Sequence, residues 1–127
     1  MEEHTDHDKI LEKVAEQFST ILEGSEQAVY IYLDDIHKVC NKKFADLLGY
    51  SSEEEWANIK ESFPSAFVDP DSQEILVNAY QDAMEKMISS SINVTWKKKD
   101  NTTVDTSVIL VPISFNDHLF ALHFVEI

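Results

Sequence analysis

The segment "VILVPI", Val108–Ile113, and the closing run "HLFALHFVEI", His118–Ile127, carry apolar residues at odd and even positions alike. A strand sends alternate side chains to opposite faces, so a strand that is apolar throughout belongs to a sheet buried on both sides. A one-layer sheet with a wet face is thereby excluded, and the rest of the chain must supply two covers. Val108 and Leu110 point one way and Ile109, Val111 and Ile113 the other; Phe120, Leu122 and Phe124 oppose Leu119, Ala121 and Val125.

The strand ahead of this pair, "INVTWKKK", does alternate, with Ile92, Val94 and Trp96 separated by polar residues, so it buries a single face. Asp100-Asn101 and Asn116-Asp117 stand between the three strands as turn residues, which makes the last third an antiparallel meander. Upstream, "AVYIYL" (28–33), the turn Asp34-Asp35 and "IHKVCN" (36–41) read as a hairpin, giving five strands in all. The covers are helical. Leu11, Val14, Phe18 and Ile21 follow a 3-4-3 spacing between Asp8 and Glu23, and Gly24 supplies the stop. This predicts one amphipathic helix with an apolar seam.

The other cover begins at "NKKFADLLGYSSEEEW", Asn41–Trp56. Asn41 is placed to cap a short helix carrying Phe44, Leu47 and Leu48, and Gly49 stands where a helix ends with positive φ. Ser52, with Glu55 three residues on, forms a capping box that opens the next helix. Pro64 interrupts the chain again, and Asp69-Pro70 supplies an N-cap with proline at the first helical position. The longer helix that follows sets Ile75, Leu76, Ala79, Tyr80, Ala83 and Met87 on one side, and largely polar residues on the other.

A chain of 127 residues is the size of one domain and large enough to bury a core without disulfide or metal. Its net charge is −14, and all ten basic residues are lysines. It has no guanidinium fork for phosphates or base edges, and an anionic surface repels a polyanion, so direct nucleic-acid binding is not expected. The lone Cys40 rules out an intrachain disulfide, which fits a reducing, cytoplasmic setting. "MEEHTDHDKILEK" lacks the apolar stretch of a signal peptide, and no apolar run nears the roughly 20 residues of a membrane span.

Few residues suggest chemistry. His37 and Lys38 follow two aspartates and read as parts of a solvated hairpin turn. His4 and His7, with Asp6 and Asp8, lie at a terminus of the kind that frays, and no metal is assigned to them. His118 and His123, five apart on one strand, point to opposite faces. Lys97–Lys99 reads as a solvated strand end, and Cys40, in an apolar strand, as inert packing. With Gly24 and Gly49 alone there is no Gly-rich phosphate loop, and no nucleophile with an adjacent base is legible. Tyr30, Tyr32, Tyr80, Trp96 and Phe120 either line a ligand pocket or fill the core. Ile75, Ala79, Met87 and Leu122 join them as candidate lining.

Taken in this order, the elements resemble a PAS domain. The likeness spans Gly24 to Ile127 and rests on the pattern Asn41…Phe44…Leu47-Leu48-Gly49-Tyr50-Ser51…Glu54, on "VDPDS" before the long helix, and on the three closing strands. It implies an α+β fold: a five-stranded antiparallel sheet with short helices on one face, and residues 1–23 as an amphipathic helix for capping or dimerisation. Asn41, Phe44, Leu48, Gly49 and Tyr50 are then a structural motif. Lys99-Asp100-Asn101 stands where many members have a lysine-aspartate-glycine turn, and Asn tolerates positive φ nearly as well. The reactive-cysteine motif of light-oxygen-voltage members is missing, and the long helix carries no histidine for haem, so no cofactor is expected.

The resemblance implies a sensory signal-transduction module that senses a small, apolar ligand, mediates protein–protein interaction, or does both, acting in trans on a signalling partner. The alternative is a small α+β enzyme with an apolar substrate cavity and Asp34 and His37 as its acid-base pair, which the turn position of that pair disfavours. The seam of Leu11, Val14, Phe18 and Ile21, with the sheet residues Ile109, Val111, Leu119 and Ala121, predicts a homodimer. The competing arrangement folds the helix across its own sheet.

Overall fold

Strands β1 (Ala28–Asp34), β2 (His37–Cys40), β3 (Ser90–Lys97), β4 (Thr103–Phe115) and β5 (His118–Glu126) form one antiparallel sheet in the order β2-β1-β5-β4-β3. The computed structural model describes residues 2–127, with side chains from Asp8 onward; those of His4, Asp6 and His7 lie outside the described residues. Asn116 and Asp117, at φ 50° and 64°, make the two-residue turn that fixes how β4 meets β5. Through that turn Ile109 pairs with Phe124, Val111 with Leu122 and Ile113 with Phe120, while Val108 pairs with Val125 and Pro112 with Ala121. Cross-strand partners share a face.

This register corrects one expectation. Phe120 and Leu122 stand on the outer face beside Val29 and Ile31, and Ala121 stands on the inner face, reversing the sides assigned to them. Leu119 takes the side of Ala121 by alternation. The two sets of residues in β5 are legible in its sequence, but which set faces inward depends on pairing, and a shift of one residue exchanges them.

The outer face is covered by the chain's own N-terminal segment, in two helices where one was expected: α1 (Glu2–Gln17) and α2 (Ser19–Gly24). Phe18 between them, at φ −100° and ψ 14°, distorts the backbone, yet Phe18 N–H still donates to Val14 O and Leu22 N–H to Phe18 O. Val14 is fully buried against Val29, Ile31, Phe120 and Leu122, and Ile10, Phe18 and Leu22 pack beside it. The working seam is therefore 10-14-18-22. Leu11 is only half-buried, and Ile21 is exposed.

The inner face is covered by α3 (Lys42–Leu47), α4 (Glu53–Ala57), α5 (Phe63–Phe67) and α6 (Pro70–Lys86). The expected caps are in place: Asn41 accepts from Phe44 N–H, Ser52 from Glu55 N–H, and Asp69 from Asp71 N–H. The Glu55 carboxylate reaches Ser51 N–H, one residue earlier than a capping box places it, and also pairs with Lys99 of the β3–β4 turn. Gly49 sits at φ +85°, and Lys99 N–H donates to Leu48 O beside it. The break in this stretch thus lets α3 stop and the β3–β4 turn lie against its end.

Candidate functional site

Asn41 does more than cap. Its Oδ1 accepts from the N–H groups of both Val29 and Phe44 at 3.0 Å, and its Nδ2 donates to Gln27 O at 3.0 Å. One buried side chain thereby ties the start of β1, just after α2, to the helix that opens the inner cover.

Inside, the aromatic side chains converge on Tyr30. Its ring lies 3.9 Å from His123 in a parallel stack, 4.7 Å from Phe44, 5.4 Å from Phe63 and 5.7 Å from Trp96 by ring centroids. Beside this cluster is a cavity of about 60 Å³ lined by Tyr30, Tyr32, Phe63, Pro64, Leu76, Val77, Tyr80 and His123. Drug-sized ligands occupy roughly 300–1,000 Å³, so this space suits a molecule of a few heavy atoms and does not take a flavin ring or a porphyrin. The hydroxyl of Tyr30 and the indole N–H of Trp56 are buried and, among the described residues, have no hydrogen-bond partner.

The wall is held neutral. Burial pushes the Tyr30 phenol well above its ordinary range, and burial followed by the bond to Asp35 does the same for Tyr32. His123 is fully buried with Nδ1 3.1 Å from Ala121 O, and desolvation lowers its pKa to about 3. At neutral pH that imidazole is uncharged.

Of the expected lining residues, Tyr30, Tyr32 and Tyr80 meet at the cavity. Ala79 and Trp96 are buried in the inner cluster without lining it, and Phe120 and Leu122 are on the far side of the sheet. Ile75 is 48% exposed and Met87 53% exposed. The buried stripe of α6 is Ser72, Leu76, Ala79 and Ala83, one position out of phase with Ile75, and Met87 lies past the helix in a left-handed conformation at φ 55°. Phe63, Pro64, Leu76, Val77 and His123 were not expected at the cavity. Strand alternation with Ala121 and Val125 carries the signal for His123.

His37 and Lys38 are buried rather than solvated. Lys38 Nζ donates to the carbonyls of Asp35 (2.8 Å), Ala57 (3.3 Å) and Ile59 (2.6 Å) and lies over the Trp56 ring. Burial, with Lys60 nearby, pushes its pKa down to about 8. His37 Nδ1 meets Asp34 at 2.8 Å and Nε2 meets Asp8 of α1 at 2.9 Å. The pair expected of an enzyme therefore joins the hairpin to α1 and does not line the cavity. Cys40 is buried, and burial together with Glu53 pushes its thiol up to about 12, so little thiolate forms at neutral pH. Among the described residues no group of three His, Cys, Asp or Glu is placed to hold a metal ion, and no helix is long and apolar enough to cross a membrane.

No family model and no curated protein matches the sequence. Solved structures do. The PAS domain of a protein from Colwellia psychrerythraea is 19% identical, covering 90% of this chain and 97% of its own, with a TM-score of 0.68. The PAS domain of nitrogen regulation protein NR(II) from Vibrio parahaemolyticus is 20% identical, covering 86% of this chain and 96% of its own, at 0.62. Drosophila melanogaster Cycle PAS-B with bound ethylene glycol is 8% identical, covering 78% and 97%, at 0.63. With a five-stranded antiparallel sheet in the order 2-1-5-4-3, short helices on its inner face and an N-terminal helix on its outer one, the chain has the PAS fold.

Proposed function

We propose that the chain is a sensory module that binds a small neutral molecule beside Tyr30 and passes the change to a signalling partner. The observation that carries this reading is the Tyr30 hydroxyl, buried without a partner on a residue that lines the cavity. An unpaired buried hydroxyl costs roughly 1–3 kcal/mol, and a short alcohol, diol or amide offers the missing bond in a site of this size. The ethylene glycol held by Cycle PAS-B is a molecule of that class.

The test is an amide-resolved NMR titration with ethylene glycol and with glycerol on the wild type and on Tyr30→Phe. Saturable shifts at Tyr30, Leu76 and His123 that vanish in the variant support the reading. Absence of saturation in the wild type, or an unchanged titration in Tyr30→Phe, overturns it.

Signalling through a second copy is the companion part of the proposal. Val14 and Phe18 are engaged by the chain's own sheet, so of the residues expected at a homodimer seam Ile109, 48% exposed, and Ile21 stay exposed, with Val111 half-buried. Ile109→Glu is expected to lower the mass seen by light scattering from dimer to monomer at tens of micromolar; a wild-type monomer at that concentration removes the dimer from the reading. The net charge of −14 opposes association but is screened beyond about 8 Å at physiological ionic strength.

A further inference from the structure

Asp34 and Asp35 are neighbours in sequence but hold opposite sides of the sheet. Asp35 Oδ1 accepts from the Tyr32 hydroxyl at 2.7 Å and from Phe63 N–H at 3.0 Å, and both donor residues line the cavity. The Asp35 carbonyl accepts from Lys38, which fastens the same turn to the carbonyls of Ala57 and Ile59. Asp34 faces the other way. Its carboxylate takes Ile36 N–H at 3.0 Å and His37 Nδ1 at 2.8 Å, and the far nitrogen of His37 meets Asp8 on α1.

The β1–β2 pairing shifts register between Tyr32 and Asp34. An irregular ladder leaves the unpaired residues without its regular hydrogen bonds, so at this point the turn is positioned by the side-chain bonds just described. A lever of two residues results. Tyr32 and Phe63 pull on one arm from the cavity, and His37 transmits the other arm to α1.

We infer that the Asp34-Asp35 turn couples the cavity to the N-terminal helix, so that a ligand displacing Tyr32 loosens the hold of His37 on Asp8. This rests on the cavity being the ligand site, but the coupling itself exists without ligand. Tyr32 is a donor throughout, because burial and then Asp35 keep the proton on its phenol. The bond from Tyr32 to Asp35 is therefore lost when the ring moves and is not rescued by exchanging donor for acceptor.

Hydrogen exchange on the full chain tests the coupling. Tyr32→Phe removes a single hydroxyl on the inner face and does not touch α1, yet it is expected to speed exchange of the Leu11–Gln17 amides by at least about threefold. The amides of Val108 and Leu110 report any global loss of stability, and the α1 effect is counted after that correction. Tyr80→Phe, on the same cavity wall and, among the described residues, with no hydrogen bond to the turn, is expected to leave α1 unchanged. In the Asp8→Ala background Tyr32→Phe is expected to add nothing further, because the transmitting bond is already gone.

Unchanged α1 exchange in Tyr32→Phe, an equal effect from Tyr80→Phe, or additivity with Asp8→Ala overturns the coupling. These outcomes are separable from failure of the ligand reading. If no diol binds but Tyr32→Phe acts as described, the coupling stands; if a diol binds and α1 does not respond to Tyr32→Phe, the coupling alone falls.

Discussion

Replacing Asn41 by alanine removes three hydrogen bonds from a buried position in one step. The Phe44 N–H loses its cap, and the Val29 N–H and Gln27 carbonyl lose their partner. Loss of an N-cap costs about 1 kcal/mol. The Val29 N–H is buried, and a buried donor left unpaired costs roughly 1–3 kcal/mol. The Gln27 carbonyl is partly accessible and adds little. The expected total is about 3 kcal/mol, out of the 5–15 kcal/mol or so typical of a whole domain. Asn41→Asp separates the parts: a carboxylate still accepts from both N–H groups but turns a repulsive oxygen toward Gln27, so its loss is expected near 1 kcal/mol. Urea unfolding followed by circular dichroism gives both numbers, with an unchanged slope confirming that compactness is unaltered. Equal losses for alanine and aspartate, or a loss under about 1 kcal/mol for alanine, refute the assignment of Asn41 as a two-N–H acceptor.

Other outcomes follow from the same contacts. His123 has its pKa lowered to about 3 in the folded chain, so below its ordinary value of about 6.5 the unfolded chain binds a proton that the folded one refuses. Stability is then complete above about pH 6.5 and lost as pH falls toward 3; by pH 5 the contribution of His123 is a loss of about 2 kcal/mol. His123→Leu is expected to flatten that part of the pH profile of the melting temperature, whereas identical slopes for the two proteins reject the claim. At Gly49 an added Cβ meets nothing closer than Lys99 Cβ at 3.8 Å, so the obstacle is φ +85° and not space. Gly49→Ala is expected to cost about 1 kcal/mol and Gly49→Val more, a ranking checked by thermal melts. The purified protein is expected to be colourless, since α6 carries no histidine for haem and the reactive-cysteine flavin motif is missing, and an absorbance scan decides it.

Local chemistry made the boundaries readable. Asn41, Ser52 and Asp69 each cap the helix their type and spacing announce, and Pro70 opens α6 where proline has no N–H to lose. What the sequence left open is long-range. The inward face of β5 depends on which β4 residue lies opposite, and Phe120, Leu122 and Ala121 were placed on the wrong sides for that reason. On α6 Leu76, Ala79 and Ala83 face inward as read, but apolar Ile75 is exposed and polar Ser72 is buried, its hydroxyl accepting from Thr95 N–H. His37 and Lys38 looked solvated beside two aspartates. Their burial comes from α1 on one side and the α4–α5 connection on the other, elements 19 to 29 residues away that no local pattern reports.

The placement of β1 explains why a change inside can reach the outside. Its residues Ala28, Val29, Tyr30 and Ile31 are all buried, the even positions in the aromatic cluster and the odd ones under α1. Interiors are close-packed, so a strand filled on both faces cannot shift toward one without altering contacts on the other. Two routes then connect the cavity with α1: the backbone of β1 itself and the side-chain lever at Asp34-Asp35. They differ in what breaks them. Tyr30→Phe keeps the ring and its packing, so it leaves the β1 route intact while removing the unpaired hydroxyl. Tyr32→Phe leaves β1 packed as well but cuts the lever. A response of α1 to the second and not to the first assigns transmission to the turn, where Lys38 and His37 hold the two sides of the hairpin.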